Sequence, residues 1–399
     1  MKYRLRRVAI LVVLVGFAAG WAGGASFIAG TSAQSAIVEV PLGGSVQAAI
    51  DNAECGSTIV LAAGVYRENL VIGRSVTLRG AGGESVIEGS CPGATVRVVG
   101  EATTARFEHL TVTGGSGFRG HGIQTEDKAT VTLINVTSTG NDWCGIWATD
   151  RSTLVLEDCR LEENQTFGLY TWDFAQAELR DCAITGNGTH GVLALHISEI
   201  TLVDSRITAN WSGVWAWDGV RFHATDTEIS DNATQGVVAQ NGALIELERC
   251  SVSRNVDCGL WFGESSRGVL SDCLIQANGR DGVLIEQDGI VEFYRCVILG
   301  NAQIGIRAGV PECVGGFDPA NPYKGWVKGS ANTIPGPESE GGNREAALCP
   351  AYPGSLWPSG FLREESGGPQ SDWHSAGASL PDRRAATRDM HNLLQRFHC

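Results

Sequence analysis

Proline is missing from position 93 through position 310; the chain's 12 prolines lie at 41, at 92 or beyond 310. Proline cannot donate to a strand ladder and is kept out of central strands, so this interval is free to form continuous sheet. Basic residues are also short: 30 Lys and Arg stand against 44 Asp and Glu, a formal charge of −14. That balance excludes a nucleic-acid binder, which needs a basic surface. Charged residues make up only 19% of the chain and apolar residues 43%, a balance foreign to a disordered polymer. Beyond residue 33 no apolar run is long enough to span a bilayer. None of the 12 cysteines forms a Cys-x-x-Cys pair of the zinc-binding kind.

What is present is a repeat. A glycine followed by an aliphatic residue recurs at Gly122, Gly145, Gly168, Gly191, Gly213, Gly236, Gly259, Gly282 and Gly305, in steps of 23 with a single step of 22. An asparagine keeps pace at Asn141, Asn164, Asn187, Asn210, Asn232, Asn255, Asn278 and Asn301. So do an aliphatic column (Leu161, Ile184, Ile207) and a small-residue column (Cys159, Cys182, Ser205, Thr227, Cys250, Cys273, Cys296). Within a unit the apolar positions alternate in short bursts, as in Ile146-Trp147-Ala148 and Leu154-Val155-Leu156, which is the period of a strand. A unit of this size holds three short strands and three turns, one circuit of a coil. Stacked circuits place each strand ~4.8 Å from its equivalent, parallel and in register. One circuit cannot bury its own inner face, so stability has to come from neighbours. The asparagines suit a turn, where the side-chain amide bonds to the next circuit. Asn135, Asn164, Asn187, Asn210 and Asn232 also spell glycosylation sequons, but the last four are expected to be buried in the ladder.

The ends read differently. Lys2, Arg4, Arg6 and Arg7 precede an apolar run from Val8 to Gly30 and the small residues Thr31-Ser32-Ala33. Residues 1–33 thus read as a secretory signal cleaved near Ala33, with an uncleaved anchor as the alternative. The expected destination is the periplasm, the cell surface or the medium, with no membrane contact after cleavage. Ser45 to Ala53 reads as a short amphipathic helix with a serine cap, placed to cover the first coil. Irregular strands are expected over 58–62, 66–72, 75–80, 85–89 and 95–99, and one more over 325–334. The coil is therefore expected over 34–337. Residues 338–399 are expected as a Gly/Pro/Ser-rich tail with a short terminal helix around Met390, Leu393, Leu394 and Phe397.

Gly64-Val65-Tyr66-Arg67-Glu68-Asn69, the helix before it and the glycine and asparagine columns after it together resemble the right-handed parallel β-helix superfamily. That group includes pectate lyases, pectin methylesterases, polygalacturonases and, closest in style, the periplasmic NosD-type repeat proteins. The resemblance covers roughly residues 38–336 and implies an all-β, right-handed, single-stranded parallel β-helix. About 11 to 13 coils with an N-terminal helix cap are expected. In the enzymes of the group it implies a carbohydrate groove on one outer face. The enzyme signatures are mostly absent. Gly120-His121-Gly122 looks like the polygalacturonase Gly-His-Gly, but the accompanying aspartate motifs are missing. Calcium, which pectate lyases use, is left open as a cofactor, and the sequence singles out no metal ligands. A NosD-type resemblance leaves a scaffold or copper-maturation role as the alternative, with Met390, His391, His398 and Cys399 as the residues concerned.

In the strand after each repeat glycine, the second and fourth positions point outward. They carry Trp147, Tyr170, Trp172, Trp215, Trp217 and Trp261, six aromatics on one external face. An apolar strip of that length marks a binding surface, and flat rings at such intervals suit a polysaccharide. The fifth position carries Asp150, Asp173, His196 and Asp218. Asp150 and Asp173 are expected ~5 Å apart, and Asp173 and Asp218 ~10 Å apart, near the carboxylate separations of retaining and inverting glycosidases. These four are the candidate catalytic residues of a polysaccharide lyase or glycoside hydrolase, His196 as a proton relay or a member of a metal site. The competing reading is that aspartate simply opens a turn here. Cys159, Cys182, Cys250, Cys273 and Cys296 are expected as buried thiols, and Cys55 with Cys91, and Cys313 with Cys349, as staples of the irregular ends.

Overall fold

The computed structural model describes residues 36–309, 326–339, 341–344, 346–349 and 361–362. The expected signal segment, the chain from 310 to 325 and the terminal helix lie outside these residues. The chain winds through three parallel sheets. In a representative circuit, Ile146–Ala148 belongs to sheet I, Thr153–Glu157 to sheet II and Arg160–Glu162 to sheet III. Each strand pairs in parallel with its equivalent one repeat on, Ile146 with Leu169, Leu154 with Ala177 and Leu161 with Ile184. Sheet I has twelve strands, from Leu70–Ile72 to Ala346–Cys349. Sheets II and III are joined at Thr104–Thr113 and Thr130–Thr139, long strands that bend at His109 (φ 54°) and Asn135 (φ 49°) and serve both.

Inward-facing positions stack into one continuous core. Ile146, Leu169, Val192, Val214, Val237, Leu260, Val283 and Ile306 form one fully buried file of it, each residue worth ~1.5–3 kcal/mol of burial. The repeat glycine is required by a close approach. A Cβ on Gly191 would lie 2.8 Å from Asn210 Nδ2 and 2.8 Å from the Gly213 carbonyl. The asparagine ladder is what crowds it. Asn164 Nδ2 donates to Asn187 Oδ1 at 2.9 Å, and Asn187 Nδ2 to Asn210 Oδ1 at 3.0 Å. The backbone N–H of each also donates to the next side-chain oxygen, at 3.2 Å for Asn164 and 3.0 Å for Asn187. The sequon asparagines Asn164, Asn187, Asn210 and Asn232 are all buried in this ladder. The cysteines of the small column are buried free thiols that donate to backbone carbonyls, as Cys250 does to Ala224 at 3.3 Å.

The helix forms as Val46–Asn52, with Ser45 at its N-cap and Val46 and Ile50 buried. The motif Gly64 to Asn69 supports it. Tyr66 donates its hydroxyl to the Val40 carbonyl at 3.0 Å, and Glu68 receives the Val46 N–H at 2.8 Å.

Two expectations are corrected. The coil does not stop at 337: Ala346–Cys349 pairs with Ile304–Ala308 as the twelfth strand of sheet I. Asn343 takes the next rung of the ladder, accepting from Asn301 Nδ2 at 2.8 Å. Cys55 and Cys91 are both free and exposed, so they do not form a staple. Asn69 ties that loop instead, its amide donating to the Cys91 and Ala94 carbonyls at 3.1 and 2.8 Å. Cys349 is disulfide-bonded; Cys313 lies outside the described residues.

Candidate functional site

The outward face of sheet I carries a second apolar cluster, separate from the core. Cys144, Phe167, Tyr170, Leu193, Leu195, Trp215 and Val238 are its buried members, and Trp143, Trp147, Trp172, Trp217 and Trp261 pack against them half-buried. The six aromatics read from the sequence are thus brought together on one face. They do not form an open strip of six rings, because Tyr170 and Trp215 are buried. The reason is geometric. Coils ~4.8 Å apart are closer than an indole is wide, so the rings lie against each other. Trp147 stacks on Tyr170 with centroids 6.1 Å apart, and Tyr170 meets Trp172 edge-on at 6.2 Å.

Sequence reasoning met His121 only within Gly120-His121-Gly122 and missed that the residues just before each repeat glycine form a column. His121, Cys144, Phe167, His190 and Ser212 occupy that column, and Trp143 and Trp211 the one before it. They fold over the cluster from one side. His121 approaches Cys144 Sγ at 3.0 Å through Nδ1 and stacks on Trp143; His190 bonds Ser212 Oγ at 2.8 Å and stacks on Phe167. Burial lowers both imidazoles to a pKa of about 3, with Arg119 adding to the effect on His121. Both rings are therefore neutral at ordinary pH. The signal was present as a register column, but its aromatic and polar members share no single chemistry.

The opposite border carries the fifth-position column. Asp150, Asp173, His196 and Asp218 all have left-handed backbone, with φ of 52°, 51°, 50° and 63°. The turn-forming reading of these aspartates is therefore real, since Asp and Asn tolerate that region best. The four fall into two neighbouring pairs, Asp150 with Asp173 and His196 with Asp218. Burial, then the charges of Asp173, Asp127 and Glu126, hold the Asp150 carboxyl above the usual range. His196 lies 3.4 Å from Asp218 through Nε2 and stacks on Trp172 with centroids 4.1 Å apart. Farther along, the Trp261 indole N–H donates to Glu286 at 3.0 Å. The aromatic face thus runs between a border of imidazole and aromatic residues and a border of carboxylates. Among the described residues, no three of His, Cys, Asp and Glu converge as metal ligands, and no helix is long and apolar enough to cross a membrane.

The family described as a right-handed β-helix region matches residues 75–226 and 168–310. No match was found among curated proteins. Among solved structures, the A-module of a mannuronan C-5 epimerase from Azotobacter vinelandii is similar at TM-score 0.62 and 18% identity, over 78% of this chain and 94% of that one. The catalytic domain of a GH87 α-1,3-glucanase is similar at TM-score 0.61 and 12% identity, over 84% of this chain and 69% of that one. Likeness at such identities is likeness of fold.

Proposed function

The chain belongs to the right-handed β-helix family, and we propose that it binds a polysaccharide along the outer face of sheet I. One observation carries this reading. The coil is already closed by its inner core, yet a second apolar cluster of five half-buried tryptophans and their buried neighbours stands outside it. Trp147 and Trp261 are five coils apart, ~24 Å, room for several sugar rings. Indole faces beside carboxylates are suited to stacking on sugars while accepting from their hydroxyls. The β-helix neighbours named as an epimerase of mannuronan and an α-1,3-glucanase support the same class of ligand.

The test is affinity electrophoresis and tryptophan fluorescence against a panel of glycans. Retention by at least one glycan, weakened in Trp172→Ala and Trp217→Ala, is the expected result. A folded protein retained by none would end the proposal.

Cleavage is the finer form of this reading, and the placing of Asp150 and Asp173 on successive coils, near enough for one charge to raise the other carboxyl, favours it. Two carboxyls on neighbouring coils, one of them raised by burial and by the charge beside it, are the kind of pair from which a glycosidic acid and nucleophile are drawn. Asp150 would be the acid, Asp173 the nucleophile, and His196 with Asp218 a neighbouring proton relay. New reducing ends on a bound glycan, lost in both Asp150→Asn and Asp173→Asn, are the expected outcome; ultraviolet absorbance of the product would instead indicate a lyase. Export through residues 1–33 belongs to the same proposal, and sequencing the mature N-terminus checks it.

A further inference from the structure

We propose that the polysaccharide taken by this face carries no carboxylates: a neutral chain, or better an amino-bearing one, and not a polyuronate. This rests on the glycan-binding reading above and adds the charge of the ligand. The three residues that end each outer strand, from Glu126–Lys128 through Glu286–Asp288, hold five aspartates and three glutamates against Lys128 and Arg151.

Lys128 is turned to an acid off the border, and Arg151 is held against a ring at its edge. Lys128 pairs with Glu101 at 2.8 Å, and the Arg151 guanidinium lies over the Phe174 ring at 5.2 Å. Across the face, Arg280 pairs with Asp257 at 3.2 Å and Arg307 with the buried Asp281 at 2.9 Å. At the N-terminal end Arg97 pairs with Glu126, and Arg119 lies over Trp147 at 5.3 Å. By contrast Asp127, Asp150 and Asp173 follow one another on successive coils, with no Lys or Arg ion pair among the described residues. They crowd each other enough that burial and their mutual charge raise the Asp150 carboxyl, as burial and Asp288 raise Glu264.

A glycan lying on the tryptophans runs parallel to this line of carboxylates for its whole length. A uronate chain would meet like charge on six of these eight coils, those of His196 and Asn241 carrying none, whereas an ammonium would meet a partner there. The left-handed backbone of the column also explains why the acids can be tested. Asparagine is as well suited to that conformation as aspartate, so replacing the acids removes charge without disturbing the turn.

The experiment measures binding of the whole protein to chitosan oligosaccharides, a neutral β-glucan and polymannuronate at low salt with chelator present. Chitosan is expected to bind best and polymannuronate at least about tenfold more weakly than the neutral chain, a gap that shrinks as salt screens the border. In Asp127→Asn/Asp150→Asn/Asp173→Asn the chitosan advantage should fall and polymannuronate binding should rise toward the neutral chain. Polymannuronate binding as tightly as the neutral glycan, or a triple variant with unchanged ranking, would overturn the inference and leave glycan binding standing. Failure of all three glycans would instead remove the binding reading on which it rests.

Discussion

Glu68 Oε1 accepts the Val46 backbone N–H at 2.8 Å across 22 residues of chain. Its other oxygen takes the Gln47 N–H at 3.0 Å and the Ser45 hydroxyl at 2.9 Å. One carboxylate thus satisfies the free donors at the start of Val46–Asn52 and meets the positive end of that helix. Because Val46 and Ile50 seal the open end of the first coil, the cap protects the core rather than the helix alone. Glu68→Ala should lower unfolding stability by about 1–2 kcal/mol. Hydrogen exchange should rise first in residues 37–61, and unchanged exchange there would contradict the capping role.

The asparagine ladder makes a stronger claim on stability. The Asn187 amide donates to Asn210 Oδ1 and the Leu161 carbonyl, both at 3.0 Å, and its oxygen accepts from Asn164 Nδ2 at 2.9 Å. Asn187→Ala leaves these partners buried and unmatched, a loss of about 3 kcal/mol. Coils contact only their neighbours, so the damage should stay local: denaturation would gain a step, and distant rungs such as Asn278 would keep their protection.

Why the coil was legible and the site less so follows from the same residues. Gly191, Asn210 and Ile207 meet at one close approach, so each coil needs the same three residue types at the same places, and repetition exposes them. Beyond Gly309 the insertion displaces the register, which hid Asn343 and the strand Ala346–Cys349 although they continue the ladder and sheet I. The outer face has no such constraint. Its aromatic members could be read from alternation, but how far Tyr170 and Trp215 would be buried could not. That depends on Phe167, Trp143 and His190 folding over from the turn before the glycine, where period-two reading stops. The aspartate column was legible as residues and ambiguous as chemistry, because one position serves the turn and faces the site.

His190 supplies a pH dependence. Burial lowers its pKa to about 3, while an unfolded histidine titrates near ~6.5. Between those values the unfolded chain binds a proton that the folded chain refuses, so stability falls as pH drops through this window and levels off below it. The slope is ~1.4 kcal/mol per pH unit for each such histidine. His190→Gln should flatten the fall in melting temperature between pH 6 and pH 4, roughly in the window set by those values; an unchanged slope would mean the ring is accessible to water.

The thiols should divide cleanly. Cys55 and Cys91 are exposed, whereas Cys159, Cys182, Cys250, Cys273 and Cys296 are buried and bonded to backbone carbonyls. Alkylation of the native protein followed by peptide mapping should modify the first two and reach the other five only after unfolding. Early labelling of Cys273 would show that the coil opens at sheets II and III.

Two ion pairs of similar length should behave in opposite ways. Arg307 meets Asp281 through Nε at 2.9 Å, with the Asp281 side chain wholly buried and that of Arg307 nearly so. Asp281 also accepts the Ile304 N–H at 3.2 Å, so it ties together two strands' approach to the outer face. Removing its charge leaves a guanidinium in a place water reaches poorly, and Asp281→Asn should cost about 3–5 kcal/mol. Arg249 meets Asp226 at 2.8 Å, but both side chains are nearly half exposed, and water replaces the lost partner. Asp226→Asn should leave the denaturation midpoint where it is, at low salt and high. If Asp281→Asn were as harmless as Asp226→Asn, the outer end of sheet I would be wetter than its packing indicates, and the Arg307 charge would be available to a ligand. In that case polymannuronate binding should strengthen in Asp281→Asn, which ties this stability measurement to the charge preference of the face.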